Sequence, residues 1–327
     1  MLKLLKRIWF WLENSRIFTV PMSIFSWLVA FVFAYTNGGN CFYGILALVG
    51  ICLGQLATNL FDDYVDFKKL EQMGALENQT KAKCKYIKNG EASLSDVLKV
   101  VIIYCAIATA IGAFLFYKTG YPVIIFALLG AIFVLTYAKW STAGIGEIAV
   151  GLAFGPILFG GVYWVMTQTL NYEIFIIGSV VVMFTIGLLY TNALLDYDGD
   201  EVSHKKTLCH RFKNKNQAVA GFGIIYGMGY GILSAAILSG YLSNIFLISF
   251  FSFPLVVELI ISMLMFNNNK EIVPDKKFWH FPFENWDKIK NQDIASFRFR
   301  MYQARNIMIY ASLLICSAKI ISVIFRI

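Results

Sequence analysis

The sequence predicts an all-α, polytopic membrane protein. A single domain over residues 1–327 is expected, with nine transmembrane helices around a central cavity that opens at the cytoplasmic side. Three observations carry this expectation. The chain is 58% hydrophobic and only 15% charged, where a soluble domain carries about 25% charged residues. Its apolar residues gather in runs long enough to cross about 30 Å of hydrocarbon, which takes about 20 residues of helix. Its lysines and arginines fall almost wholly between alternate runs.

The runs cover residues 18–36, 42–61, 96–117, 120–138, 145–167, 173–195, 217–239, 242–266 and 307–325. Each reads as a helix, because a segment in lipid must satisfy its own backbone N–H and C=O groups. Residues 1–16 are basic and aromatic, with no small-residue cleavage site, so they do not read as a signal peptide. Orientation follows from Lys and Arg. With the N-terminus in the cytoplasm, that side holds Lys3, Lys6, Arg7, Arg16, the lysines between 68 and 99, Lys139, five basic residues in 196–216 and eight in 267–306. The tally is 25 against three, the three being Lys118, Lys319 and Arg326. Nine spans then put the C-terminus outside a cell (inner) membrane.

In the seventh run, Gly223, Gly227 and Gly231 form a small-residue stripe that predicts close helix packing. The loop 267–306 mixes Phe278, Trp279, His280, Phe281, Phe283 and Trp286 with lysines and acids. It reads as a segment lying at headgroup level, with a lid over the site as the sharper alternative. The six cysteines form no CxxC pair and read as free thiols, and His204, His210 and His280 are too scattered for a histidine metal site.

The chemistry lies in two acidic clusters at the ends of apolar runs. The first, over 59–66, holds Asn59, Asp62, Asp63 and Asp66. On a helix their spacings of three and four put all four on one broad face. The second, over 192–200, aligns Asn192, Asp196 and Asp200 at every fourth position, with Asp198 pointing elsewhere. Both clusters land on the cytoplasmic side, an agreement independent of the charge count. Carboxylates at membrane depth are costly unless a cation compensates them. An all-oxygen donor set suits Mg2+, which is typically held together with substrate phosphates. The expectation is a Mg2+ site made by Asp62, Asp63, Asp66, Asp196 and Asp200 that bridges a diphosphate. Direct cationic donors are Lys206, followed by Thr207, and Lys205. Lys139 and Arg16 lie near, as do Lys68 and Lys69. Such a site ionises an allylic diphosphate and shelters the cation in a dry aromatic tunnel. A transporter would also place acids at depth, but with internal repeats or broken helices near the midplane; here the acids gather at one interface. No nucleic-acid partner is expected.

These motifs resemble the UbiA superfamily of intramembrane prenyltransferases, which has nine helices and Asp-rich motifs after the second and sixth. The resemblance covers nearly the whole chain. Asp196 and Asp200 match the second motif, followed by Lys206 and Thr207 at the family's Lys-Ser/Thr pair. Asn59-Leu60 with Asp63 and Asp66 resembles the first motif, and Arg16 and Pro21 the entry to the first helix. Within the family the chain is most similar to 1,4-dihydroxy-2-naphthoate prenyltransferases, through Gly146–Val150, Phe154–Leu158, Val162-Tyr163-Trp164 and Asn192. The sequence departs from the pattern at four places: Asp62 replaces Asn, Leu70 replaces the last Asp of the first motif with Glu71 beside it, His204 replaces Gly, and Leu195 replaces Arg. The resemblance implies catalytic roles for Asp63, Asp66, Asp196, Asp200 and Lys206, and substrate binding by Asn59, Asn192, Arg16, Lys139 and Lys205. It implies Mg2+ as cofactor, and a polyprenyl diphosphate and a small aromatic acceptor as partners in the bilayer. Other acceptors, such as a hydroxybenzoate or a tetrapyrrole, and cyclisation without an acceptor stay open as alternatives.

Overall fold

The structure, a computed structural model, describes residues 2–72, 84–202, 206–268, 273 and 275–325. Among the described residues every regular element is helical. An amphipathic helix α1 (Leu2–Asn14) is followed by α2 (Val20–Tyr35), α3 (Cys41–Gln72), α4 (Leu94–Thr119), α5 (Pro122–Thr142), α6 (Gly146–Thr167), α7 (Tyr172–Leu195), α8 (Lys215–Leu238), α9 (Asn244–Asn267) and α10 (Ala295–Phe325). Among the described residues eight helices are long and apolar enough to cross a membrane, α2 counted with its leading turn. The ninth predicted run is α5, a helix of 21 residues. Each predicted run therefore matches a helix.

Helix starts follow local chemistry. The Asn171 side chain accepts the Ile174 N–H at 3.0 Å, Asn214 accepts the Gln217 N–H at 2.8 Å, and Ser93 with Asp96 closes a reciprocal cap on α4. Within α6, Pro156 has no N–H to donate, and the hydrogen bonding slips into a π turn over Ala153–Ile157. Gly155 lets this turn press on α7: a Cβ there would meet Val182 at 3.0 Å.

Contacts fix which helix ends share a side. The Asn40 N–H donates to Met166 O at 2.8 Å, joining the start of α3 to the end of α6. The Trp164 indole donates to Thr119 O at 3.0 Å, and Lys319 pairs with Glu173 at 2.8 Å, at this same end. At the opposite end Asn59 reaches Ser15, and Glu147 at the start of α6 reaches Leu208. The end of α3 and the end of α7 thus lie at one end of the bundle. The main core joins α2, α6, α7, α8, α9 and α10. A satellite core of Trp11, Leu60, Phe67, Tyr86, Ile87 and Val97 seats the end of α3 against α4 and the chain after residue 84. All six cysteines are free thiols.

The glycine stripe corrects the sequence expectation. Gly223, Gly227 and Gly231 would meet nothing within 4 Å, so they do not mediate packing in this chain. The packing glycines lie on the neighbouring face, where Tyr190 and Met183 of α7 press on Gly221 and Gly229. A Cβ on Gly221 would sit 2.3 Å from the Tyr190 hydroxyl, which donates to Ala218 O at 2.6 Å. Gly221→Val therefore costs about 1–3 kcal/mol of stability by overpacking, and Gly223→Val costs almost none. Paired melting curves of the two variants in detergent check this; equal melting temperatures would assign the wrong packing face.

The aromatic loop also differs from expectation. Phe278, Trp279 and Phe281 are exposed, as a headgroup segment requires, but His280, Phe283 and Trp286 are buried, the last two against Phe299 of α10. The Trp279 indole donates to Glu258 of α9 at 2.9 Å, and His280 Nε2 lies 3.1 Å from the same carboxylate. The carbonyls of His280, Phe281 and Pro282 accept from Asn306, Tyr310 and Arg305. Through Trp279, His280 and the carbonyls of 280–282 this segment docks on α9 and α10. The reason is hydrogen-bond supply: irregular backbone packed against the bundle needs donors, and the polar side chains of α10 provide them.

Candidate active site

The first acidic cluster is built around a guanidinium. Arg16 links α1 to α2 with a left-handed backbone, φ 60°. Its Nη2 donates to Asp63 Oδ1, and its Nη1 lies 3.6 Å from Asp62 Oδ2. Asp63 is only 1% exposed, so a cation beside it is what makes its charge tolerable. Burial works against the charge on Arg16, yet Asp63 and Asp62 hold its pKa above the ordinary value. The Asn59 amide donates to Ser15 O at 2.9 Å and to Thr19 Oγ1 at 3.2 Å, and Gln55 donates to Thr19 O at 3.1 Å. Asn59 thus pins the turn that carries Arg16. Asp62 and Asp66 are half-buried, while Lys68, Lys69 and Glu71 are exposed.

Two residues of this cluster carried no signal in the sequence. The Cys84 thiol donates to Asp63 O at 3.3 Å. Burial, and then the Asp63 charge, push the Tyr86 phenol far above its usual range, so it stays protonated beside the carboxylate. Neither belongs to a motif, and both reach Asp63 only through the fold.

In the second cluster α7 ends at Leu195, and a short helix Tyr197–Val202 follows. Backbone bonds from Asp196 N–H to Asn192 O, 3.0 Å, and from Asp200 N–H to Asp196 O, 2.8 Å, carry the four-residue spacing across the break. The backbone spacing is kept although the helix is broken, and the three side chains differ in exposure. Asp200 is 3% exposed, Asp196 half-buried and Asn192 exposed. Asp198 turns away and pairs with Lys215 at 2.7 Å. Lys139 is exposed near the end of α5. Lys206 is exposed, with its backbone against Gly144, where φ is +73° and a Cβ would meet Lys206 Cβ at 3.3 Å. Lys205 and His204 lie outside the described residues. Glu147, buried at the start of α6, accepts the Leu208 N–H at 3.2 Å. Glu147 lies in the Gly146–Val150 stretch, and its bond to Leu208 crosses 61 residues of chain that no local spacing reports.

Among the described residues no three acidic, histidine or cysteine side chains converge into a ready-made metal cage. The carboxylates instead form two groups at one end of the bundle, each with one member almost fully buried. That arrangement suits Mg2+, which prefers a few carboxylates plus substrate phosphate oxygens to an all-protein cage.

Among the described residues eight helices are long and apolar enough to cross a membrane, and both carboxylate motifs lie at one end of the bundle, which defines the class as a polytopic helical membrane protein. The family follows from comparison. The chain belongs to the UbiA prenyltransferase family, whose model matches residues 23–281. It is 27% identical over 216 residues to a 1,4-dihydroxy-2-naphthoate octaprenyltransferase of Haemophilus influenzae, covering 62% of this chain and 68% of that protein. It is 25% identical over 218 residues to the enzyme of the same name from Escherichia coli, covering 63% and 69%. Solved structures share the fold. A UbiA homolog from Aeropyrum pernix superposes with a TM-score of 0.61 at 15% identity, covering 89% of this chain and 96% of that one. A homolog from Archaeoglobus fulgidus bound to GPP and Mg2+ gives 0.59 at 15% identity, covering 93% and 99%. A digeranylgeranylglyceryl phosphate synthase gives 0.60 at 13% identity, covering 96% and 99%. The expected all-helical membrane fold and prenyltransferase class both hold.

Proposed function

We propose that this prenyltransferase moves a polyprenyl group from an allylic diphosphate to 1,4-dihydroxy-2-naphthoate, a step of menaquinone synthesis, with Mg2+ as cofactor. The reading is supported by the placement of both acid motifs at one end of the bundle, with Asp63 and Asp200 buried and Asp63 paired with Arg16. The acceptor is supported by the names of the two curated relatives. The positive-inside asymmetry supports a cytoplasmic location for this end.

Asp62, Asp63, Asp66, Asp196 and Asp200 would hold the metal, and the chemistry Mg2+ supplies when bound is neutralisation of the departing diphosphate. Arg16 and Lys206 donate to diphosphate oxygens, with Asn59 keeping Arg16 in place. The allylic C–O bond breaks with its electron pair going to the diphosphate. The electron-rich ring carbon that bears the carboxylate attacks the cation, and the carboxylate leaves as CO2 with its bonding pair returning to the ring. Water must stay out until attack is complete, and the apolar helices provide that barrier.

Purified protein given Mg2+, geranylgeranyl diphosphate and a mixture of dihydroxynaphthoate and hydroxybenzoate should form the prenylated naphthalene product, detected by mass spectrometry. Product from hydroxybenzoate alone, or cyclised terpene without acceptor, would reject the naphthoate reading and leave the diphosphate chemistry standing.

A further inference from the structure

His210 falls outside both acidic motifs, yet it touches the chain beside each arm of the second one. The Thr207 backbone N–H points at His210 Nδ1 from 3.3 Å, and the Thr207 hydroxyl lies 2.7 Å from the same nitrogen. A backbone N–H can only donate, so Nδ1 is the acceptor and the imidazole proton is on Nε2. Nε2–H then donates to the Tyr197 carbonyl at 3.2 Å. The ring also stacks on Tyr197, with centroids 4.3 Å apart and planes 13° from parallel. The Thr207 hydroxyl spends its proton on Nδ1, so the Cys209 thiol donates to it at 2.9 Å. Burial, chiefly, pushes that thiol up to about 11, which keeps its proton in place.

Tyr197 directly follows Asp196, and Thr207 directly follows Lys206. One imidazole therefore joins the backbone of the carboxylate arm to the backbone of the lysine arm. Two further hydrogen bonds of the loop lead elsewhere: Glu147 accepts from Leu208 N–H at 3.2 Å, and Arg211 donates to Ala143 O at 3.4 Å, both at the corner between α5 and α6, while Cys209 packs into the main core. These fix the loop to the bundle; the imidazole fixes it to the motif.

We propose that His210 is a positioning residue that sets the separation of Lys206 from Asp196 and Asp200. It thereby pre-organises the second motif for a metal-bound diphosphate. The proposal rests on the reading that Lys206 meets the diphosphate. A side chain that holds two arms of a site in register lowers the ordering cost of binding, so its loss should appear mainly in affinity.

The test uses the full-length protein in detergent and inorganic pyrophosphate with Mg2+, titrated calorimetrically beside steady-state kinetics. His210→Leu is expected to weaken pyrophosphate binding about tenfold and to raise KM for the prenyl diphosphate similarly, with kcat changing less. His210→Gln is expected to recover most of the affinity. Its amide oxygen can accept from Thr207, as Gln does in a capping box, while its NH2 donates to Tyr197. In a Lys206→Ala background the His210→Leu effect should disappear, because the two residues act through one another. Unchanged pyrophosphate affinity in a folded His210→Leu protein overturns the proposal. So does equal weakness of the Gln and Leu variants, or full additivity with Lys206→Ala. Wild-type affinity in Lys206→Ala alone overturns the assignment of Lys206 itself, a distinguishable failure.

Discussion

Alanine at Asp63, Asp66, Asp196 or Asp200 is expected to lower prenyl transfer by about a hundredfold or more, and EDTA is expected to silence the unmutated protein. The expected size follows from the leaving group. A departing diphosphate gathers negative charge, and losing one contributor to its electrostatic stabilisation costs about 3–4 kcal/mol of transition-state energy. Asp63 and Asp200 are the most buried of the four, so the largest losses are expected there. Asp62→Asn is expected to be milder. Asp62 stands 3.6 Å from Arg16, whereas Asp63 is directly bonded to it, and an amide oxygen can still serve as a neutral ligand. Single-turnover assays at saturating Mg2+ rank the variants. Full turnover in EDTA would remove the metal from the mechanism, and equal loss in Asp62→Asn and Asp63→Ala would make Asp62 an obligatory anion.

Arg16→Ala should be as damaging to stability as to turnover. The Asp63 side chain is 2% exposed and that of Arg16 19%. Removing one partner of a buried pair leaves an uncompensated charge, at a cost of about 3–5 kcal/mol. Most of that cost belongs to the stranded carboxylate and should shrink in an Asp63→Asn background, where no buried charge is left behind. Melting curves of the two single variants and the double variant measure the coupling. Strict additivity would show that the pair contributes nothing as a pair. In kinetics the same substitution should raise KM for the prenyl diphosphate, because Arg16 is also a donor to the diphosphate in the proposed site.

Much of the site was legible without coordinates because the relevant signals are local. Helix periodicity spaces Asn192, Asp196 and Asp200 at every fourth position, and backbone bonds carry that spacing across the break where α7 gives way to a second short helix. Asp198 was read as pointing away, and it pairs with Lys215. The spacing places Asn59 on the motif face, while its amide also holds the Arg16 turn through Ser15 and Thr19 on another segment. Sequence spacing reports which residues share a helix face, not what stands opposite that face.

The sequence by itself determined the order and extent of the nine apolar runs, the two carboxylate motifs and the gathering of basic residues between alternate runs. Each is set by a one-dimensional quantity: hydrocarbon thickness against helix rise, the helical repeat, or the cost of moving cations across lipid. Only the tertiary structure decided that Arg16 neutralises Asp63 from 47 residues away, and that Glu147 grips the Leu208 amide from 61 residues away. It also decided that α8 packs through Gly221 and Gly229 while the regular glycine stripe stays uncovered. His210, which no motif claims, closes the second site for the same reason. Hydrogen bonds and close packing depend on which surfaces meet, and that is fixed by the assembled bundle.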